Sequence, residues 1–188
     1  MVIALSFLHS GPIANVIEVT RTVMTVAAPG MPPGYWWVTA SVVAILAMAA
    51  TIDAFTTVVP DLLIFLGMVA VAGTQIMFGP LHDALRHLLL GAEAAVLIWA
   101  INFVWGLIYG YDALGMGDAK WTALAVTCFG VIAGCFAWGV GAVLAVIWIG
   151  FARLFRYKIT RVTFAPFLFI GLSIGLWCIR FIDRAESF

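Results

Sequence analysis

The chain has 188 residues, 65% hydrophobic and only 10% charged, with nine basic and nine acidic side chains and no formal net charge. A soluble domain carries about 25% charged residues, so this composition excludes a water-exposed globule, and the balanced charge offers no electrostatic handle for nucleic acid. With a mean hydropathy of +1.16, the sequence reads as an all-α, polytopic membrane bundle whose first partner is the lipid bilayer.

The first stretch, MVIALSFLHSGP, has no basic n-region and its apolar run breaks at His9 to Pro12, which argues against a cleaved secretory signal. Residues 13–26 place Ile13, Val16, Ile17, Val23 and Met24 near one helical face. Asn15, Glu18, Arg21, Thr22 and Thr25 lie mostly on the other. That pattern predicts an amphipathic helix lying at the interface. The breaker PGMPPG at 29–34 ends it. Residues 1–34 thus form an interfacial segment ahead of a membrane-embedded domain at 35–188, which Tyr35, Trp36 and Trp37 open as an aromatic belt.

Six spans follow, near 35–52, 61–78, 88–108, 121–136, 138–152 and 163–180. No charge interrupts Trp121 to Phe151, so one long tilted helix is conceivable, but two shorter helices with a turn near Gly134 to Gly139 fit better. The strongest basic cluster, ARLFRYKITR at 152–161, should be cytoplasmic. Counting back through the hairpin puts the loop YGYDALGMGDAK and the loop after the first span on the same cytoplasmic side.

Three carboxylates sit at span edges. Asp53 lies near the C-terminal end of the first span, where the helix dipole disfavours a negative charge. Asp61 follows Pro60 at the start of the second, where a proline and an acid both belong. Asp118 opens the fourth, and an N-terminal cap is one reading of it. Gly115 and Gly117 remove side chains on either side of Met116 and let backbone approach closely, which a simple cap does not need. Lys120, two residues on, has two readings: it favours the ionised form of a nearby acid, or it anchors that membrane edge.

Because the second and third spans go out and back, Asp53 and Asp118 return to the same membrane face. Two carboxylates about 3 Å apart cannot both ionise near neutrality and so share a proton. One could then take a proton from an attacking water while the other polarises a peptide carbonyl and protonates the leaving amine. Neither a metal nor another cofactor is called for.

These residues resemble a family. The pattern D-x6-P-D at Asp53 to Asp61, GMGDAK at 115–120 and FAPFLFIG at 164–171 are similar to the type IV prepilin peptidases, membrane aspartic proteases of the GxGD class. The resemblance covers about residues 35–180. It implies that Asp53 and Asp118 are the catalytic pair and that the FAPFL segment, with Pro166, helps shape the site. Without the family, Pro166 reads as a loosened start to the last span. The resemblance also implies a bacterial or archaeal cytoplasmic membrane and substrates that are prepilins or pseudopilins, cut after a short basic leader at the cytoplasmic face. Larger members carry an insertion with paired CxxC motifs and methylate the new N-terminus. This chain has neither, so it resembles the compact members that process Flp-type pilins, and peptidase activity without methyltransferase activity is expected.

Other polar residues have quieter readings. Cys128, Cys135 and Cys178 form no CxxC pair and read as small packing residues. Asp112 shares one loop with GMGD and reads as a solvated acid. Glu93 and Asn102 lie inside the third span, where interhelical hydrogen bonding is the expected use. His82, Asp83 and His87 have poor ligand spacing and read as a solvated outer loop rather than a metal set. Two rival functions stand beside the peptidase: a proton-coupled transporter or channel using the acids as a relay, and a non-catalytic assembly subunit. A transporter predicts acids near the midplane and repeated halves; a scaffold should tolerate Asp→Asn at both positions.

Overall fold

The computed structural model describes residues 33–110, 114–155 and 163–185. The interfacial helix expected at 13–26, Asp112 and most of the basic cluster at 152–161 lie outside the described residues. Five helices and no strand occur among those described: α1 (Pro33–Thr56), α2 (Asp61–Phe78), α3 (Leu81–Tyr109), α4 (Met116–Leu154) and α5 (Ala165–Ala185). Four of them are long and apolar enough to cross a membrane, and α5 contributes a shorter apolar stretch, Ala165–Ile179.

Helix starts follow the chemistry of the chain. Pro60 and Pro80 each precede a helix, and Asp61 and Asp83 place an acid in the first turn. For α3 this moves the start back to Leu81, ahead of the apolar run that begins near 88. His82, Asp83 and His87 are therefore helical and not part of a solvated loop: the amphipathic first turns extend the span beyond its apolar part. His82 Nδ1 lies 3.0 Å from Asp83 Oδ1. Gly110, in the left-handed region at φ 75°, ends α3 by donating its N–H to the Gly106 carbonyl.

The middle of α4 is not straight. Gly130 has φ 84° and ψ 171°, a conformation close to glycine-only. The Trp138 indole N–H donates to the Thr122 hydroxyl at 2.9 Å across 16 residues, which a straight helix would separate by about 24 Å. The chain therefore reverses at Gly130. A Cβ at Gly134 would meet Val126 Cγ2 at 2.6 Å, so the two arms press together just beyond the turn. The reversal lies upstream of the Gly134 to Gly139 turn expected from sequence, because Gly134 and Gly141 serve close packing and Gly130 alone among them takes a positive φ.

The second arm then runs beside α5. A Cβ at Gly171 would come 2.5 Å from the Ala137 carbonyl oxygen, and one at Gly141 would come 3.0 Å from that of Phe167. Small residues let the backbones touch, as membrane helices do where lipid supplies no hydrophobic drive. The central core joins Val42, Leu46 and Ala49 of α1, Trp121 and Leu124 of α4, and Leu168 and Leu172 of α5. Trp121 is fully buried and donates its indole N–H to the Leu46 carbonyl at 3.2 Å. Outside this core the apolar surface stays open: Phe55, Leu62, Leu107 and Ile132 are all exposed, as on a body solvated by lipid.

Candidate active site

The reversal at Gly130 brings three helix ends to one edge of the bundle: the last turn of α1, the first turn of α4 and the first turn of α5. Asp53 and Asp118 both lie there. Each is buried, at 7% and 6% exposure, and the two are close enough to interact coulombically.

Each acid has a backbone donor. Asp118 is at the third position of α4; its Oδ2 accepts the Gly115 N–H at 3.2 Å, and its own N–H donates to the Gly115 carbonyl at 3.0 Å. The capping reading is therefore physically real, and it coexists with a second acid beside it. Asp53 accepts the N–H of Ala165, the first residue of α5. This explains a placement that looked unfavourable from sequence. At the end of α1 the helix dipole opposes a carboxylate, but the N-terminus of α5 supplies a donor and an opposing dipole. Pro166 fits that role: it lies in the first turn of α5, where its missing N–H costs nothing. Phe167 and Leu168 close the turn onto the Phe164 carbonyl at 3.0 and 3.1 Å.

The connection from α1 to α2 is held tightly under the site. Thr57 takes φ 57° while its N–H donates to the Asp53 carbonyl at 2.8 Å. A β-branched residue in the left-handed region costs roughly 1–2 kcal/mol, so this turn is held by its surroundings. Val59 is buried, and a Cβ at Gly117 would strike its Cγ2 at 2.6 Å and its Cβ at 2.8 Å. Gly117 is thus small because the protein's own α1–α2 connection lies against it. At Gly115 a Cβ would reach Asp118 Oδ2 at an ordinary 3.5 Å, so this position is open and close to the carboxylate.

Lys120 ion-pairs with Asp61 at 2.6 Å on an exposed surface, 41% and 74% accessible. This partner is neither of the dyad acids. Asp61 holds the first-turn place expected of it and also ties α2 to α4.

Several residues that frame the site were not singled out from sequence. The Thr122 hydroxyl donates to the Asp118 carbonyl at 2.7 Å and accepts from Trp138, whose ring lies 5.0 Å from that of Phe164, next to Ala165. Asn102 Oδ1 accepts the Leu114 N–H at 2.9 Å and anchors the residue just before Gly115. An intramembrane Asn was visible as a polar anomaly; the threonine, tryptophan and backbone amide carried no signal of their own. Glu93, expected to bond a neighbouring helix, is exposed and has no partner among the described residues. Among the described residues no group of three or more His, Cys, Asp or Glu is placed to hold a metal ion. The cysteines are free, and Cys135 is exposed instead of packed.

Comparison with protein-family models, curated proteins and solved structures finds no match to this chain.

Proposed function

We propose that the protein is a membrane aspartic endopeptidase that removes the short basic leader of prepilin-like substrates, Flp pilins or pseudopilins, at the cytoplasmic face. One observation carries the reading: two buried carboxyls from distant parts of the chain lie within electrostatic reach of each other at one edge of an apolar bundle. Each is held by the N–H of a helix start. Counting the arms of α4 as the fourth and fifth of six membrane segments supports this reading. Both acids would then share the side of the 152–161 sequence, whose basic residues favour the cytoplasm.

The chemistry needs one ionised and one protonated carboxyl. The ionised acid takes a proton from a water whose oxygen attacks the scissile carbonyl carbon. The protonated acid donates a hydrogen bond to the carbonyl oxygen as negative charge develops there. Collapse of the tetrahedral intermediate breaks the C–N bond, and a proton passes to the leaving nitrogen, which becomes the mature N-terminus. The backbone donors at Gly115 and Ala165 fix both carboxyls, so little reorganisation accompanies each step. No cofactor takes part.

The test is leader cleavage of a co-expressed prepilin from the same genome, read as a gel shift. Wild type is compared with Asp53→Asn and Asp118→Asn at matched membrane levels. Cleavage by wild type and a loss of at least about 10³-fold in each variant is the expected outcome, since neither half of an acid–base pair works alone. Cleavage that persists in either variant removes that residue from the mechanism. A wild type that cleaves no prepilin-like substrate removes the assignment.

A further inference from the structure

Between α3 and the second arm of α4 lies a groove of about 560 Å³, floored by Thr122 and Val126 of the first arm. Its walls are apolar, with Leu97 and Ile101 on one side and Val131 and Trp138 on the other. Glu93 is the single charged group among its lining residues. It stands in the middle of α3, exposed, with no hydrogen-bond or ion-pair partner among the described residues. A carboxylate left facing hydrocarbon is costly, and such groups usually serve a function.

One end of the groove is lined by residues bonded to the first turn of α4 and the loop before it. Leu114 and Thr122 line it; Leu114 is held by Asn102, and the Thr122 hydroxyl is bonded to the Asp118 carbonyl. Glu93 precedes Asn102 by nine positions on the same helix, which places it about 13 Å deeper along the axis. An apolar segment lying in the groove would therefore begin beside the first turn of α4 and pass Glu93 some nine residues later. Apolar walls alone select nothing in a membrane, because lipid tails are as apolar as leucine. Discrimination falls to close packing and to the one polar group.

We propose that this groove receives the transmembrane helix of the substrate, and that Glu93 selects helices carrying a lysine or amide donor about nine residues in from the scissile end. The identity of the occupant as substrate rests on the peptidase reading; the pairing with Glu93 rests on the groove itself. Glu93 determines specificity and takes no part in bond breaking.

Cys135 is exposed and lines the groove, so it reports occupancy directly. The full chain carrying Cys128→Ala and Cys178→Ala is placed in lipid vesicles. Two designed peptides are compared, each with a short basic leader, a Leu/Ala transmembrane helix and one cysteine, one with lysine and the other with leucine at the ninth helical position. A third, with glutamate there, is added for the charge-reversed variant. A bis-maleimide then cross-links peptide to Cys135. The lysine peptide should cross-link about tenfold more than the leucine peptide, Glu93→Leu should erase that preference, and Glu93→Lys should shift it to a peptide with glutamate there. Equal capture of both peptides, or indifference to both Glu93 variants, overturns the proposal and leaves a groove filled by lipid. A dominant Cys135-to-Cys135 product at twice the chain mass overturns it in favour of a second copy.

The cross-link is scored with Asp53→Asn as well, where no cleavage is expected. A lysine preference in a protein that cleaves no prepilin leaves the groove assignment standing and removes the peptidase. Cleavage by a protein with no preference removes the groove assignment alone.

Discussion

The two ends of the first arm of α4 are finished in opposite ways. At its start, Asp118 is buried within electrostatic reach of a second acid, and each carboxyl accepts a backbone N–H. At its other end the arm stops at Gly130, and the last carbonyls lose their intrahelical partners. There the Gln75 amide of α2 donates to the Thr127 carbonyl at 3.4 Å and sits 2.9 Å from His87 Nδ1 of α3. Both clusters join three helices, and Asp53, Asp118, Gln75 and Thr127 are all buried. One uses carboxyl groups at a helix N-terminus, the other an amide donor at a C-terminus, as the helix dipole dictates. Gln75 Oε1 has no partner among the described residues, so the far cluster holds the bundle together without being fully satisfied. The lesson is that burial of polar groups does not by itself mark a catalytic site. What distinguishes the proposed site at Asp53 and Asp118 is a pair of acids gathered where each has a backbone donor.

The strongest way to break this contrast is to move a charge to the wrong end. Gln75→Glu puts a carboxylate beside exposed carbonyls and removes the amide donor. His87 is the neighbouring side chain able to pair with that carboxylate. An unpaired buried charge costs about 3–5 kcal/mol, so Gln75→Glu combined with His87→Phe should unfold far below wild type when thermal denaturation is followed in detergent. Asp118→Asn removes a charge from the favourable end and keeps a side chain able to accept the Gly115 N–H. Its stability should change by no more than about 1 kcal/mol, even as cleavage is lost. Equal destabilisation by the two variants would mean that the ends are electrostatically alike.

A second comparison sharpens what the acid-bearing end depends on. Gly117→Ala drives a methyl into Val59, and overpacking of this kind costs roughly 1–3 kcal/mol. Because Val59 sits in the strained connection just after Asp53, the displacement should also disturb the dyad. Val59→Gly added to Gly117→Ala removes both the Cγ2 and the Cβ that the new methyl meets and should recover part of the lost activity, whereas Val59→Ala keeps the Cβ at 2.8 Å and should not. No recovery in the Val59→Gly double variant would mean that Gly117 is small for some reason other than Val59. At the far end Gly91 is packed as tightly, against Thr127 and the Ala123 carbonyl. Gly91→Ala should therefore lower stability with no separate effect on cleavage per folded molecule.

How much of this was legible in the chain follows from the range of each interaction. Apolar runs and prolines announced the helices, since both act locally, and the hydrophobic run that makes α4 announced itself too. Its turn was misplaced because Gly130, Gly134, Gly139 and Gly141 look alike in sequence. Only φ and the neighbour across the gap separate a reversal from a packing contact. Asp53 was visible as an anomaly, a carboxylate at the wrong end of a helix. Its resolution is a backbone amide at Ala165, which has no side-chain signature. Asp118 was marked by its glycines, yet Gly117 turned out to accommodate Val59. Glu93 and Asn102 were equally conspicuous as polar residues in one span. Asn102 found the Leu114 amide while Glu93 found no partner among the described residues, and no local pattern could have told them apart.

The smallest effect belongs to the ion pair that flanks the site without joining it. Lys120 and Asp61 are both substantially exposed, and pairs of that kind contribute about 0–1 kcal/mol. Lys120→Met should therefore leave stability within that range. Were the lysine serving the dyad, as its place two residues after Asp118 first suggests, its loss would cut cleavage as deeply as loss of an acid. Paired with Asp61, it instead aligns the starts of α2 and α4, and a fall in cleavage of a few-fold at most is expected. Exchange of the two charges, Asp61→Lys with Lys120→Asp, separates the cases: alignment is restored by the swap, whereas direct support of Asp118 is not. Recovery to near wild-type cleavage in the swapped protein confines Lys120 to holding two helices in register. A persistent deep loss places its positive charge within the catalytic chemistry.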